Sequence, residues 1–275
     1  MKKLMTGFST GLFFILKIYY YSYMKKGERQ RLYLLDEIRG FLILGVVVSH
    51  TLFDMYHIFG FDMLWVESAL VNTISDIGAI LFILISGMVS KYSKDNISRG
   101  LKLMAVAVGL TLVTDVVVPQ FVVYAGILHH LAFAIILIEL LSPILKKIPA
   151  TIAISINALI AVLTWNIYER EISFFGLKVF DIPYEIMSGG LSHLLGLKIK
   201  DIIISSDYYP LLPWICFFVI GFYLIDYVER EPIKTFFSKK RCLFLAKAGR
   251  VSLWIYIIHQ PLVLGILYLI TIIFR

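Results

Sequence analysis

The chain has 275 residues, 59% of them hydrophobic and only 16% charged, with a mean hydropathy of +0.85. Soluble domains carry roughly 45–50% apolar and about 25% charged residues, so too few charges are present for a water-facing surface and the chain reads as a polytopic α-helical membrane protein. The apolar runs are too long and continuous for an outer-membrane barrel, whose strands alternate over about 10 residues. The net charge of +7 sits in short blocks between those runs, which argues against a nucleic-acid partner.

In chain order, the first hydrophobic stretch covers 4–23 and is interrupted by Lys17, with Tyr19 to Tyr21 reading as interfacial. Lys2 and Lys3 ahead of it give some signal-peptide character, but no small-residue cleavage site follows. Residues 1–23 are therefore either an eighth span or an upstream extension before a start at Met24. Seven further spans are expected at 38–57, 68–90, 101–119, 121–145, 149–168, 209–228 and 251–274. The expected fold class is all-α: a polytopic transmembrane helix bundle, with 24–275 as one domain.

Eighteen of the 26 Lys and Arg residues lie in, or at the edge of, the segments 24–39, 91–100, 146–148 and 229–250. The positive-inside rule places these segments in the cytoplasm and the C-terminus outside, as expected of a multi-pass cell-membrane protein. The outer connection 169–208 is long, contains Gly176, Pro183, Gly189, Gly190, Gly196, His193 and Asp207, and has an intermittent apolar pattern. Such a loop is usually functional or disordered; its apolarity predicts packing over the outer mouth of the bundle. Cys216 and Cys242 suggest neither a disulfide framework nor a zinc site.

Ionisable residues inside spans are costly and mark candidate functional sites. Span one has Arg39 at its inner edge and His50 eleven residues later, which is about three helical turns and about 16 Å along one face. Asp54 at i+4 and His57 at i+7 fall on the same stripe. A carboxylate beside a histidine fixes its tautomer and raises its basicity, as a general base requires. Read alone, Arg39 is equally an interfacial anchor paired with Asp36. Asp76 in span two, His129 and His130 about 13 Å into span four, and His259 in span seven lie at comparable depth. Of the adjacent pair, only one ring can face a given site, and His130 is assigned to packing. His259, before Gln260 and Pro261, also reads as a hydrogen-bonding partner of a proline kink. No two histidines have metal-site spacing on one helix, and no metal is expected. Asp115, Glu139 and Asp226 read as interfacial, and the numerous tyrosines with Trp65, Trp165 and Trp214 near span ends as an aromatic belt.

Six sequence blocks carry a family resemblance. They are Asp36-Glu37-Ile38-Arg39-Gly40 leading to His50-Thr51-Leu52-Phe53-Asp54, then Leu81 to Gly87, Gly126-Ile127-Leu128-His129, Asp207 to Trp214, Gly249 to Leu253, and His259-Gln260-Pro261. In this order they resemble the catalytic domain of the heparan-alpha-glucosaminide N-acetyltransferase family, over residues 30–263. The Arg39–His50 spacing is also similar to a motif of the related acyltransferase type 3 membrane enzymes. The resemblance implies transfer of an acyl group, in the first instance acetyl, from cytoplasmic acyl-CoA to an acceptor outside. Arg39 would then orient the donor and His50 would be the catalytic histidine. In lysosomal members the essential histidine lies after the first helix, where His57 is the nearest candidate, so the assignment is split.

The expected function is an integral-membrane acyltransferase that uses acetyl-CoA or another acyl-CoA and acts on a hydroxyl or amine of a sugar or glycan-like acceptor. His50, Asp54 and His57 are its candidate catalytic residues, and Arg39, Asp76, His129, Asp207 and His259 its candidate substrate-binding residues. No glycan-binding domain is recognisable, which argues against heparan sulfate itself as acceptor. The bilayer is an obligate partner, and a homo-oligomer is left open. The alternatives are a proton-coupled transporter or flippase of an amphipathic or lipid-linked substrate, whose expected inverted repeats are not visible, and a non-catalytic scaffold.

Overall fold

The computed structural model describes residues 31–183 and 207–273; the 4–23 stretch and His193 lie outside them. The described residues form an all-α bundle. In order these are α1 Tyr33–Phe53, α2 Ala69–Ser90, α3 Asn96–Val117, α4 Ile127–Leu145 and α5 Ala150–Leu163, then α6 Trp214–Val228, α7 Ile233–Ser238, α8 Leu243–Arg250 and α9 Ser252–Ile273. Among the described residues, six helical stretches are long and apolar enough to cross a membrane: Tyr33–Ile58, Ala69–Ser90, Asn96–Val117, Ile127–Leu145, Ala150–Glu169 and Ser252–Ile273.

The sixth expected span, 209–228, is helical over only 15 residues, Trp214–Val228. At about 1.5 Å per residue that falls short of a core about 30 Å thick. Pro210 and Pro213 precede it, and the backbone enters a helix only after Pro213. Span four also begins later than expected. Pro119–Phe121 forms a 3₁₀ turn, Ala125 has a positive φ of 51° and Gly126 is the N-cap, so the helix starts at Ile127.

Local signals set the other ends. Asp95 Oδ1 accepts from Ser98 N–H at 2.9 Å at the start of α3, and Ser68 caps α2. The connection after α5 carries a two-stranded antiparallel hairpin, β1 Glu171–Phe174 and β2 Leu177–Asp181, with a register shift between Ile172 and Ser173. Every residue of β2 is exposed, while Ile186, Leu191, Leu194, Leu195 and Leu197, on which the expected packing over the outer mouth rests, lie outside the described residues. The hairpin's partners are local: Ile167, Ile172, Ile182 and Leu212 cluster beneath it, and Lys178 pairs with Asp181 at 2.6 Å.

The core is a layer of Ile43, Ile83, Leu128, Ile135, Phe218, Phe222 and Tyr256. Leu70, Leu112, Leu159, Leu262 and Leu269 are more than half exposed, a surface suited to lipid. Lipid tails are as apolar as these side chains, so helix association needs close van der Waals approach, which small residues permit. Two crossings use it. Gly87 of α2 and Gly221 of α6 face each other's backbones: a Cβ on either would collide with the carbonyl of Phe218 or Leu84. Gly40 of α1 and Gly249 of α8 do the same against the carbonyls of Leu245 and Asp36. Beside the second crossing, buried Glu37 accepts the amide N–H groups of Arg241 (2.7 Å) and Cys242 (3.0 Å), where α8 begins. Lys91 at the end of α2 binds both oxygens of Asp226 on α6 at 2.7 Å.

Gly87→Ala and Gly249→Ala should each destabilise the folded protein by about 1–3 kcal/mol through overpacking. Gly265→Ala, whose Cβ meets nothing within 4 Å, should be neutral or mildly stabilising. Thermal unfolding of detergent-solubilised protein, followed by near-ultraviolet circular dichroism, checks the contrast.

Candidate active site

Three segments bring polar groups together at the end of α1 opposite Arg39. From α1 come His50 and, at the end of the helix, Asp54; from α9 come Tyr256, His259 and Gln260; from the segment before α6 comes Asp207. The rings of His50 and His259 meet edge-on, with centroids 5.1 Å apart. His259 Nδ1 lies 2.6 Å from the carbonyl oxygen of Tyr256. A carbonyl only accepts, so Nδ1 carries the proton and Nε2 presents a lone pair. That Nε2 is buried with no hydrogen-bond partner among the described residues. The carbonyl that His259 engages belongs to Tyr256, whereas the one Pro261 frees belongs to Ile257. The reading of His259 as partner of the kink is corrected accordingly.

Asp207 is the hub. Its Oδ2 accepts from the Tyr256 hydroxyl at 2.5 Å and from the Ile127 amide at 3.2 Å, at the first residue of α4. Gly126 leaves room for it, since a Cβ there would strike the carboxylate. The helix N-terminus supplies partial positive charge, and His129 and His259 lie within electrostatic reach. Burial nevertheless pushes the Asp207 carboxyl above the ordinary range, against the pull of the Tyr256 hydroxyl and the Ile127 amide. Burial also raises the neighbouring Tyr209 phenol, with Asp207 and Asp76 adding to the effect.

The single polar stripe expected on span one is not retained. α1 ends at Phe53, and Asp54–Ile58 forms a π-helical turn in which Phe59 N–H bonds back to the carbonyl of Asp54, at 3.0 Å. Each π-turn holds one more residue than an α-turn, so side chains after Asp54 leave the stripe. Asp54 is fully buried, but its two oxygens are held at 2.9 Å by Gln260 Nε2 rather than by His50; the expected Asp54-to-His50 pairing is corrected to Asp54-to-Gln260. His57 turns to a separate cleft, against Phe53, Tyr56 and Phe121 and 3.6 Å from Glu67.

Of the remaining expected residues, His129 lies in the first turn of α4 because that helix starts late; the expected depth of about 13 Å is corrected for that reason. Its Nε2 meets Thr111 Oγ1 at 3.2 Å and its Nδ1 is buried without a partner among the described residues. His130 is buried in the packing. Asp76 lines a cleft with Tyr168, Tyr208 and Trp214 beside the cluster. Arg39 stays at the opposite end of α1, within electrostatic reach of Asp36, Arg99 and Arg31. Sequence reasoning assigned the tyrosines to the interfacial belt and so missed Tyr256 and Tyr209; the i−3 spacing of Tyr256 from His259 was the available signal. Among the described residues no group of three or more His, Cys, Asp or Glu side chains is placed to hold a metal.

A cleft of about 330 Å³ between α1 and α2 leads to this cluster, lined at that end by Ser49, His50, Asp207, Tyr209 and Tyr256. Residues 31–261, which contain every group of the cluster, match the family model described as heparan-alpha-glucosaminide N-acetyltransferase, catalytic. The chain belongs to that family. Membership and the polytopic helical bundle together support a membrane acyltransferase-like role. No curated protein and no solved structure matches the chain.

Because the folded state holds the Asp207 proton more tightly than the unfolded chain does, this group's contribution to stability is present at acid pH and lost as pH rises through its folded pKa. Asp207→Asn should flatten that slope, whatever its effect on absolute stability. Melting temperatures of both proteins between about pH 4 and pH 8 test this; parallel profiles would contradict it.

Proposed function

We propose that the protein is a membrane acyltransferase that moves an acyl group, acetyl in the first instance, from cytoplasmic acyl-CoA to a hydroxyl or amine of a glycan-like acceptor on the opposite side. The observation that carries this reading is the convergence of His50, His259 and Asp207 from three segments at the end of one cleft, inside the region matched by the acetyltransferase family. Acyl transfer needs a base where the acceptor attacks. The acceptor's O–H or N–H gives its proton to His50 while its oxygen or nitrogen bonds to the acyl carbonyl carbon. The thioester C–S bond breaks, and the CoA sulfur leaves and takes up the proton. His259, with its tautomer set by the Tyr256 carbonyl, stands beside the imidazolium that forms, and the Asp207 carboxyl lies within electrostatic reach of His259. Arg39 and Arg99, near one another at the other end of α1, are suited to the anionic phosphates of the donor.

A second reading places the base at His57. It is favoured by the His57–Glu67 pair and by the aromatic side chains around that ring. Acetyl transfer by purified protein, followed as thiol release and as acetylated product, separates the two. His50→Ala should lower turnover by about 10²–10⁴-fold with the protein still folded, and His57→Ala should leave most of it; the reverse result moves the site to the cleft at His57. Arg39→Gln should raise KM for acetyl-CoA by about tenfold or more, the loss of a charge-assisted contact. Substrate accumulation in liposomes without acyl-CoA, and no thiol release with it, would instead identify a transporter.

A further inference from the structure

In the proposed transfer His259 stands beside the imidazolium of His50, yet the two side chains are loosely joined. Among the described residues no hydrogen bond links them; their rings touch edge-on, with centroids 5.1 Å apart. Ring contacts of this kind persist over centroid separations of about 4.5–7 Å, so the contact by itself leaves α9 room to shift on α1. The Tyr256 hydroxyl ties α9 to Asp207, not to α1. Both helices are also irregular at this level. α1 passes into a π-helical turn at Asp54, one turn beyond His50. In α9 Pro261, two residues beyond His259, has no N–H to give the carbonyl of Ile257. Neither backbone ladder continues regularly past its histidine.

One side-chain contact spans this junction. Asp54 lies four residues from His50, and Gln260 adjoins His259. Asp54 is fully buried, and Gln260 Nε2 donates to its Oδ1 and Oδ2, each at 2.9 Å. A hydrogen bond, unlike a ring contact, weakens steeply away from about 2.7–3.2 Å, and the low dielectric of the interior strengthens it. Neither Asp54 nor Gln260 lines the cleft that ends at His50, so neither is placed to meet a substrate.

We infer that Asp54 and Gln260 form a clamp: they are positioning residues that fix α9 on α1 and so hold the His259 ring against His50. This rests on the acyltransferase reading with His50 as the base. Asp54 then serves His50 through Gln260 and His259 rather than as its direct partner.

The clamp is tested once by turnover and once without it. Asp54→Leu and Gln260→Met nearly keep the size of the residues they replace. In acetyl transfer by purified protein each should lower kcat by about ten- to a hundredfold, the cost of a misplacement near 1 Å, with KM for acetyl-CoA unchanged. Asp54→Asn still offers Gln260 an acceptor oxygen and should restore turnover toward the wild-type rate. The double variant Asp54→Leu with Gln260→Met leaves no buried partner unpaired, so it folds even where a single variant does not. It should be no slower than the slower single variant, as for two residues acting through one contact. Asp54→Asn as slow as Asp54→Leu overturns the clamp, and so do variants that melt earlier but turn over at the wild-type rate.

The second measurement needs no substrate. With His50→Cys and His259→Cys in one chain, dibromobimane, which fluoresces on bridging two close thiols, should label the pair above the background set by the native Cys216 and Cys242. Adding Asp54→Leu with Gln260→Met should cut the yield severalfold, and adding Asp54→Asn should not. Equal yields, or none above background, overturn the clamp and leave the transferase reading intact. No acetyl transfer by the wild type overturns that reading instead, and with it the positioning role, even where the bimane yield still depends on Asp54 and Gln260.

Discussion

Backbone-to-backbone contact at two glycine crossings is the constraint on which the bundle depends. In a bilayer, burying a leucine against another helix gains little over burying it against lipid, so specificity comes from surfaces that approach more closely than lipid can. Gly40 against Gly249 and Gly87 against Gly221 provide this. The first fixes α1 on α8 and therefore the position of His50. The second fixes α2 on α6 and therefore where the preceding Asp207–Pro213 segment enters the bundle. Three of the six sequence blocks that carry the family resemblance contain one of these four glycines, so those blocks record packing as much as chemistry.

Polar groups in the interior are few and nearly all are held. Asp207 joins α4, α9 and its own segment through one oxygen, and Gln260 occupies both oxygens of Asp54. Among the described residues the buried polar atoms without a partner include His129 Nδ1, His259 Nε2 and Gln260 Oε1, all in or beside the same cluster. Unsatisfied buried groups are costly, and in a native protein each calls for a reason. The acceptor proposed to react at His50 supplies one, because it brings donors and acceptors to a place where the protein has left some unmet.

Apolar run length and scarce internal charge made the helices and the level of the polar groups legible in the sequence, because both follow directly from the cost of placing polar atoms in hydrocarbon. His50 and His259 were singled out for the same reason, and Asp207 from the outer connection and the Asp207-to-Trp214 block. What escaped was whatever depends on a partner distant in sequence or on a local change of helical period. Asp54 looks like a partner for His50 at i+4, but Gln260 takes it from another helix. His57 falls on the stripe only if the α-helical count continues, and the π-turn ends that count at Asp54. Tyr256 resembles any belt tyrosine until Asp207, 49 residues away, is seen to accept its hydroxyl.

The clasp between α1 and α8 has a consequence for how the protein sits in membranes of different thickness. α8 is a short amphipathic helix with Phe244 exposed and Lys247 and Arg250 in its last turn, the pattern of a helix lying at a headgroup boundary. Because Gly40 and Glu37 lock α1 to it, the depth of His50 is measured from that boundary by ten residues of helix, about 15 Å. Hydrophobic mismatch is ordinarily absorbed by tilting or sliding a helix. Here α1 is not free to slide, so a thicker or thinner bilayer must be accommodated by the other helices while the working depth of the imidazole stays constant.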